Sequence, residues 1–427
     1  MKIGVKKLSY DKVMALPSPK RKKPKKPNMF FRVLIKLLSV MSMKKDNFTY
    51  KTYDMEKAGD EPCLIFMNHS SFVDLEIASN ILFPKPFGIV CTTDGFVGKE
   101  WLMRSIGCIP TQKYVSDPSL ISDMKYALKE KKMSVLMYPE ASYTFDGCAT
   151  TLPRRLGLLV KRLDVPLVMI TTKGAFARQP LYNCLKLRKV NVSADVKCLL
   201  SRDEIKEKSV DEIDAIIDEA FSFDNFAWQQ QNKVVIDEPE RAKGLERILY
   251  KCPHCLKEGQ MVGEGSTVTC KACGARYELD VYGYLRGVNC DAKFTHIPDW
   301  YNWEREQVRQ ELINGEYKLE TDVDICMLVD FKCVYRVGDG RLVHDESGLT
   351  LSGCDGKLNF FQSATSTYGL YADYYWYELG DIICIGDRQR LYYCFPKGEV
   401  SVAKTRLAAE ELYKIKRSEK KKKAVAK

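Results

Sequence analysis

The sequence predicts an α/β domain preceded by an amphipathic helix, then a small cysteine-bearing ribbon and a β-rich C-terminal domain. Three observations carry this. Residues 60–225 alternate short apolar runs with stretches of helical periodicity, the pattern of strands and helices taking turns. Residues 252–273 hold two Cys-x2-Cys pairs, with glycines between and after them that suit tight turns. Residues 318–402 read as short strands broken by hairpin signals such as Val337-Gly-Asp-Gly340 and Cys354-Asp-Gly356.

At 427 residues the chain has room for two or three cores, and 45% apolar with 29% charged residues describes a soluble or peripheral protein. No apolar run reaches the roughly 18 residues of a membrane-spanning helix. The basic first 27 residues lack the pattern of a cleaved signal peptide. The sixteen cysteines are therefore expected as reduced thiols or metal ligands. The net charge of +11 is concentrated at two places. Residues 20–26 hold six basic residues and no acid, and residues 414–427 hold eight against Glu419 alone. The body between them is nearly neutral, so the charge forms no basic face and argues against a nucleic-acid partner.

Taken in order, residues 17–27 form a proline- and lysine-rich linker with no means of building a core. Residues 29–43 are apolar except for a narrow helical stripe of Arg32, Lys36 and Ser39. Beside a basic run, such a helix is expected to lie in a membrane interface; packing onto its own domain is the plainer alternative. Cys63-Leu-Ile-Phe-Met67 reads as a buried strand that delivers Asn68-His69-Ser70-Ser71 to the rim of a core. Ser71 then caps a helix, with Asp74 in capping-box position. His and Asp five residues apart lie roughly 140° apart on a continuous helix, so their contact needs a loop-to-helix junction. A histidine oriented by a carboxylate is the minimal unit for activating a hydroxyl, although a capping acid and a core histidine account for the same two residues.

Further strands are expected at residues 87–92, 108–111, 134–138, 166–171 and 190–200, with helices at 98–105, from Asp117-Pro118, at 154–163, and from Ser209 to about Ala220. Two strand ends carry polar groups: residues 107–113, ending in Lys113, and Tyr138-Pro-Glu140-Ala-Ser142-Tyr-Thr144. A cation, a carboxylate and small hydroxyls near a His–Asp pair could bind a phosphate and polyol acceptor.

These stretches resemble, in order and spacing, the four blocks of the glycerolipid acyltransferases typified by 1-acylglycerol-3-phosphate acyltransferase. Asn68-His69-Ser-Ser-Phe-Val-Asp74 is similar to the family's His-x4-Asp block. Residues 107–113 resemble the second block, with Lys113 where the family has arginine. Residues 139–144 resemble the third, usually Pro-Glu-Gly-Thr-Arg-Ser, here with Ala141 for glycine and Tyr143 for arginine. Val165-Pro166 and the apolar run after it resemble the fourth. The resemblance covers roughly residues 60–175. It implies direct acyl transfer from acyl-CoA or acyl carrier protein to a lysophospholipid such as a lysophosphatidic acid, in phospholipid biosynthesis. His69 would act as base and Asp74 as its orienting acid, with Lys113, Glu140 and Ser142 binding the acceptor. Arg104, Arg154, Arg155, Lys173 and Arg178 are further candidates for a phosphate ligand. Membrane lipids are then expected partners, and the expected location is cytoplasmic, peripheral on the inner face of the cell membrane.

Cys252, Cys255, Cys270 and Cys273 have the spacing of a closed structural Zn²⁺ site, a zinc ribbon stapling a module too small for its own core, with His254 a bystander. Pro298 leads into a helix to about Asn314, and the aromatic stretch at 368–377 reads as sheet core or as a surface for lipid or carrier protein. The expected domains are 1–45 (basic linker and membrane helix), 46–225 (acyltransferase), 240–282 (zinc ribbon), 283–413 (helix and β-rich domain) and 414–427 (disordered basic tail). The competing reading is a non-catalytic lipid- or carrier-binding protein on the same fold.

Overall fold

Four consecutive apolar residues, Leu64-Ile65-Phe66-Met67, can be buried on both faces only within a sheet covered on both sides. All four are buried. The computed structural model describes every residue except Met1, Lys2, Lys45, Asp46, Ser116, Ala426 and Lys427. The chain forms two compact units: residues 20–181 with 185–232, and the remainder, 1–19, 182–184 and 233–427.

The chain opens with β1 (Val5–Lys7) and α1 (Tyr10–Met14), which belong to the second of these units. The first unit then runs α2 (Met29–Met43), β2 (Thr49–Tyr53), β3 (Leu64–Met67), α3 (Asp74–Leu82), β4 (Phe87–Thr92), α4 (Glu100–Ser105), β5 (Cys108–Thr111) and α5 (Pro118–Lys125). It continues with β6 (Ser134–Met137), α6 (Leu156–Leu163), β7 (Leu167–Lys173), α7 (Ala175–Arg178), β8 (Ser193–Leu200), α8 (Arg202–Glu207), α9 (Val210–Ala220) and α10 (Asn225–Gln231). Its sheet has the order β2-β8-β7-β3-β6-β4-β5, parallel throughout except for the β7–β8 pair. The buried strand β3 sits between β7 and β6, with Leu64 opposite both Leu167 and Val135. Its end therefore opens beside the ends of two neighbours, where sites on open α/β sheets form.

Several expected helix starts are present: Asp117 caps α5 with Pro118 at its first position, and Ser209 and Glu212 form a reciprocal capping box at α9. Ser71 departs from expectation. Helix α3 starts at Asp74 without a side-chain cap, and among the described residues the Ser71 hydroxyl finds no partner. The Asp74 carboxylate instead turns back and accepts from the Ser70 and Ser71 backbone N–H groups. Strand β2, exposed along its length at the sheet edge, carries no apolar pattern and was not anticipated.

The basic linker is held against the first unit rather than left in solvent. Pro24 and Pro27 are buried. Arg21 pairs with Asp123 at 2.7 Å, Lys22 with Glu100 at 2.9 Å, and the Lys23 ammonium stands 4.6 Å over the Tyr126 ring. In α2 the polar stripe faces the protein: Arg32 donates to the Pro84 carbonyl and Lys36 to Asn80, while Ser39 is buried. Phe30, Leu37, Leu38 and Met41 of α2, and Trp101 of α4, are exposed.

The other unit holds a ribbon of β9 (Met261–Glu264), β10 (Thr267–Cys270), β11 (Arg276–Leu279) and β12 (Leu285–Gly287), followed by α11 (Ile297–Ile313). Strands β13 (Leu319–Leu328), β14 (Val334–Asp345), β15 (Gly348–Gly353), β16 (Leu358–Ser363), β17 (Tyr371–Trp376), β18 (Gly380–Gly386) and β19 (Leu391–Pro396) form its larger sheet, with α12 (Val402–Val425) last. That sheet is ordered β16-β15-β14-β13-β19-β18-β17, and β1 adds to β14 in parallel. Two boundaries are thereby corrected. The first nineteen residues group with the C-terminal sheet rather than with the linker and α2. The basic tail continues a helix: α12 buries Ala403, Leu407, Ala408 and Leu412, and Glu411 pairs with Arg305 and Arg309 of α11. A lysine run that extends an already anchored helix adds one hydrogen bond per residue without a new nucleus, so net charge alone misreads it.

Candidate active site

The site begins where β3 ends. Asn68 ties that end to β7: its amide oxygen accepts from the Thr172 backbone N–H at 2.7 Å, and its amide nitrogen donates to the Thr172 carbonyl at 3.2 Å. The next residue, His69, is fixed through its backbone on both sides. Its N–H donates to Glu140 Oε2 at 2.7 Å, and its carbonyl accepts from the Thr144 N–H at 3.0 Å. Its ring Nδ1 lies 3.0 Å from Asp74 Oδ2. The loop-to-helix junction thus brings His69 and Asp74 together, as their spacing required.

Three donors converge on Asp74 Oδ2: the imidazole and the N–H groups of Ser70 and Ser71. Burial pushes the carboxyl well above its ordinary range, and those two N–H groups oppose the shift. Burial pushes His69 well below the usual histidine value, and the nearby Lys113 ammonium adds to the effect. Burial thus favours the neutral imidazole, whose Nδ1 faces the Asp74 carboxyl. Among the described residues Nε2 takes no hydrogen bond, and the ring keeps 18% of its surface exposed. A neutral imidazole oriented from behind and open at Nε2 can accept a proton from a bound hydroxyl.

Two aromatic rings lie against the imidazole. Tyr138 stacks at 4.1 Å between centroids with 25° between planes, and Tyr143 lies at 4.2 Å and 40°. Phe72, half exposed, meets Tyr143 edge-on at 5.6 Å.

The other expected site residues are distributed as follows. Lys113 follows β5 and acts electrostatically on His69. Ser142 is buried, and its hydroxyl bonds that of Tyr114 at 3.2 Å. Glu140 is also buried, and both its oxygens are engaged by backbone N–H groups, Oε2 by His69 and Oε1 by Thr150 at 2.8 Å. That geometry makes Glu140 a brace between two loops. Of the further cations considered, Arg104 pairs with Glu100 and Lys173 with Asp195, while Arg178 is buried and Arg154 and Arg155 are exposed. Tyr114 and Thr172 were not anticipated, and Tyr138, Tyr143 and Thr144 lie in the strand-end stretch singled out above but were given no role there.

Ala141 has a positive φ of 59°, and its N–H donates to the Tyr138 carbonyl. The family block resembled above has glycine at this place, and the backbone explains why: a Cβ in the left-handed region is strained.

In the other unit, the sulfur atoms of Cys252, Cys255, Cys270 and Cys273 all lie within 4.8 Å of one another. Cys252–Cys273 and Cys255–Cys270 are each 3.7 Å apart. Four thiolates about 2.3 Å from one tetrahedral ion stand about 3.8 Å from each other, so the residues present fit a metal. The first knuckle is anchored through Lys251, whose N–H donates to buried Glu304 and whose carbonyl accepts from the Trp300 indole.

Comparison with known proteins gives the following similarities. Residues 42–173 match the family model described as Acyltransferase. A solved structure, the 1-acyl-sn-glycerophosphate (LPA) acyltransferase PlsC from Thermotoga maritima, is similar at 11% identity with a TM-score of 0.34, over 45% of this chain and 80% of that one. No curated protein matches.

The strain at Ala141 gives a direct prediction. Ala141→Gly should stabilise the protein by about 0.5–1 kcal/mol, read as a raised denaturation midpoint with unchanged slope.

Proposed function

The chain carries an acyltransferase-family domain at residues 42–173, and we propose that this domain moves a fatty acyl group from a thioester donor to the hydroxyl of a lysophosphatidic acid-like acceptor. The observation that carries the reading is the His69–Asp74 contact, which holds Nδ1 at 3.0 Å from the carboxyl while the side chain keeps 18% of its surface exposed. His69 Nε2 takes the acceptor's hydroxyl proton as the oxygen attacks the thioester carbonyl. Asp74 holds the tautomer and stabilises the imidazolium that forms. The oxygen–carbonyl bond replaces the sulfur–carbonyl bond, and the proton passes from His69 to the departing thiolate. No cysteine is needed as nucleophile. Acyl-CoA and acyl carrier protein both supply such a donor.

Lys113 is the cation for the acceptor phosphate. A phosphate on Lys113 would also offset the charge that depresses His69's basicity, so the base strengthens as the acceptor arrives. Ser142 and Tyr114 shape the polar wall beside it, and Glu140 positions the His69 backbone.

The same reading places the protein on a membrane surface. Helix α2 turns Arg32, Lys36 and Ser39 inward and most of its apolar side chains outward, although Met43 is buried and Phe31 and Ile35 are half-buried. Phe30, Leu37, Leu38, Met41 and Trp101 would enter the acyl boundary of a bilayer. Among the described residues, no helix is long and apolar enough to cross a membrane. In the second unit, the four cysteines are read as a structural zinc site, a closed set of thiolates with no place for substrate.

Two outcomes are expected. His69→Ala should lower transfer from palmitoyl-CoA to lysophosphatidic acid by about 10²–10⁴-fold, with thermal unfolding unchanged. Transfer at wild-type rate by His69→Ala would remove the mechanism. In flotation with phosphatidylglycerol vesicles, wild type should float, while the surface variant Leu37→Glu/Leu38→Glu/Met41→Glu should stay in the soluble fraction. Equal flotation of the two would remove the membrane reading.

A further inference from the structure

We infer that Tyr138 and Tyr143 form an aromatic clamp on His69 that positions the base and keeps water from its ring faces. This rests on the acyl-transfer reading above for its catalytic consequence, though not for its geometry. The two tyrosine centroids lie 4.1 and 4.2 Å from that of the imidazole, at small to moderate interplanar angles. Two six-membered rings so close to one five-membered ring have no room on a single face, so they take opposite faces. With Nδ1 already fixed by Asp74, tilting the imidazole out of its plane drives it against one tyrosine ring or the other. Both tyrosines come from one segment, at either end of the Pro139-Glu140-Ala141-Ser142 turn. That turn is itself pinned to the His69 backbone by Glu140. One loop therefore sets the peptide of His69 and grips its ring.

The clamp acts differently on the two protonation states. In the resting enzyme, the flanking rings replace water on both faces, and a desolvated imidazole stays neutral and ready to accept a proton. Once the proton arrives, the two aromatic faces lie over a cation and offset part of that desolvation cost. The clamp raises the rate by holding the ring in one orientation toward the acceptor. The arginine that occupies position 143 in the resembled family could supply no such face. A further cation beside Lys113 would also oppose imidazolium formation. The charged and titratable groups facing the ring are Asp74, Lys113, Tyr138 and Tyr143, with Glu140 at its backbone.

The test compares wild type, Tyr143→Ala and Tyr143→Phe for transfer from palmitoyl-CoA to lysophosphatidic acid in vesicles, over pH 4.5–9, with zinc content and thermal unfolding as folding controls. A general base works only when neutral, so activity falls as pH drops through the pKa of His69. Burial depresses that value in the wild type, and hydration in Tyr143→Ala should move the acidic limb upward toward the ordinary value of about 6.5. The same variant should lose about 3- to 30-fold in kcat with little change in KM. Tyr143→Phe keeps the ring face and should return the acidic limb to the wild-type position. A kcat loss in Tyr143→Ala with the limb unmoved, or a limb that Tyr143→Phe fails to return, would overturn the clamp. Should wild type transfer no acyl group, the function proposed above fails while the clamp is still decided by NMR. The chain has only four histidines. The His69 imidazole, assigned by its loss in His69→Ala, should titrate higher in Tyr143→Ala than in wild type; an unchanged titration rejects the clamp.

Discussion

The peptide of His69 is the point to which the candidate site is referred. Its N–H is taken by a buried carboxylate from the 139–144 turn, its carbonyl by the N–H of Thr144, and its ring by Asp74. A hydrogen bond to a charged group contributes roughly 1.5–3 kcal/mol, and leaving a buried donor unpaired costs a comparable amount. The turn and the β3 end therefore cannot separate without losing several such contacts at once. Asn68 adds the third strand by bonding Thr172 on β7. The geometry around His69 and local stability here have the same cause, and Glu140 serves both through its two backbone contacts.

The electrostatics follow from the same burial. Asp74, Glu140 and Ser142 are each almost wholly removed from solvent. Burial pushes Asp74 up, the Ser70 and Ser71 N–H groups oppose that shift, and burial pushes His69 down. Two neighbouring groups with opposite demands on the proton are the usual basis of acid–base work. Tyr143, in the position where an arginine occurs in the resembled family, alters this balance by substituting a ring face for a charge.

Much of this was legible before any coordinates. The β3 run, the junction at His69, the Asp117 and Ser209 caps and the four cysteines follow from apolar length, i-to-i+5 geometry, capping chemistry and ligand spacing. What was not legible depended on partners distant in sequence. Nothing in Glu140 itself says that both its oxygens will meet backbone N–H groups from residues 69 and 150. Nothing in residues 5–7 says that they will pair with β14. The linker was misjudged for a related reason: Arg21 and Lys22 look solvated until Asp123 and Glu100 are placed beside them. Local chemistry is written locally, and tertiary pairing is not.

The central claim is direct transfer by a histidine base, and release of the donor thiol tests it most directly. Palmitoyl-CoA would be mixed with the vesicle-bound protein with and without lysophosphatidic acid, following free CoA and new ester together. Direct transfer predicts that CoA appears only when acceptor is present, in equal amount to the ester. Release of one equivalent per chain without acceptor, with the acyl group found on the protein, would contradict the account.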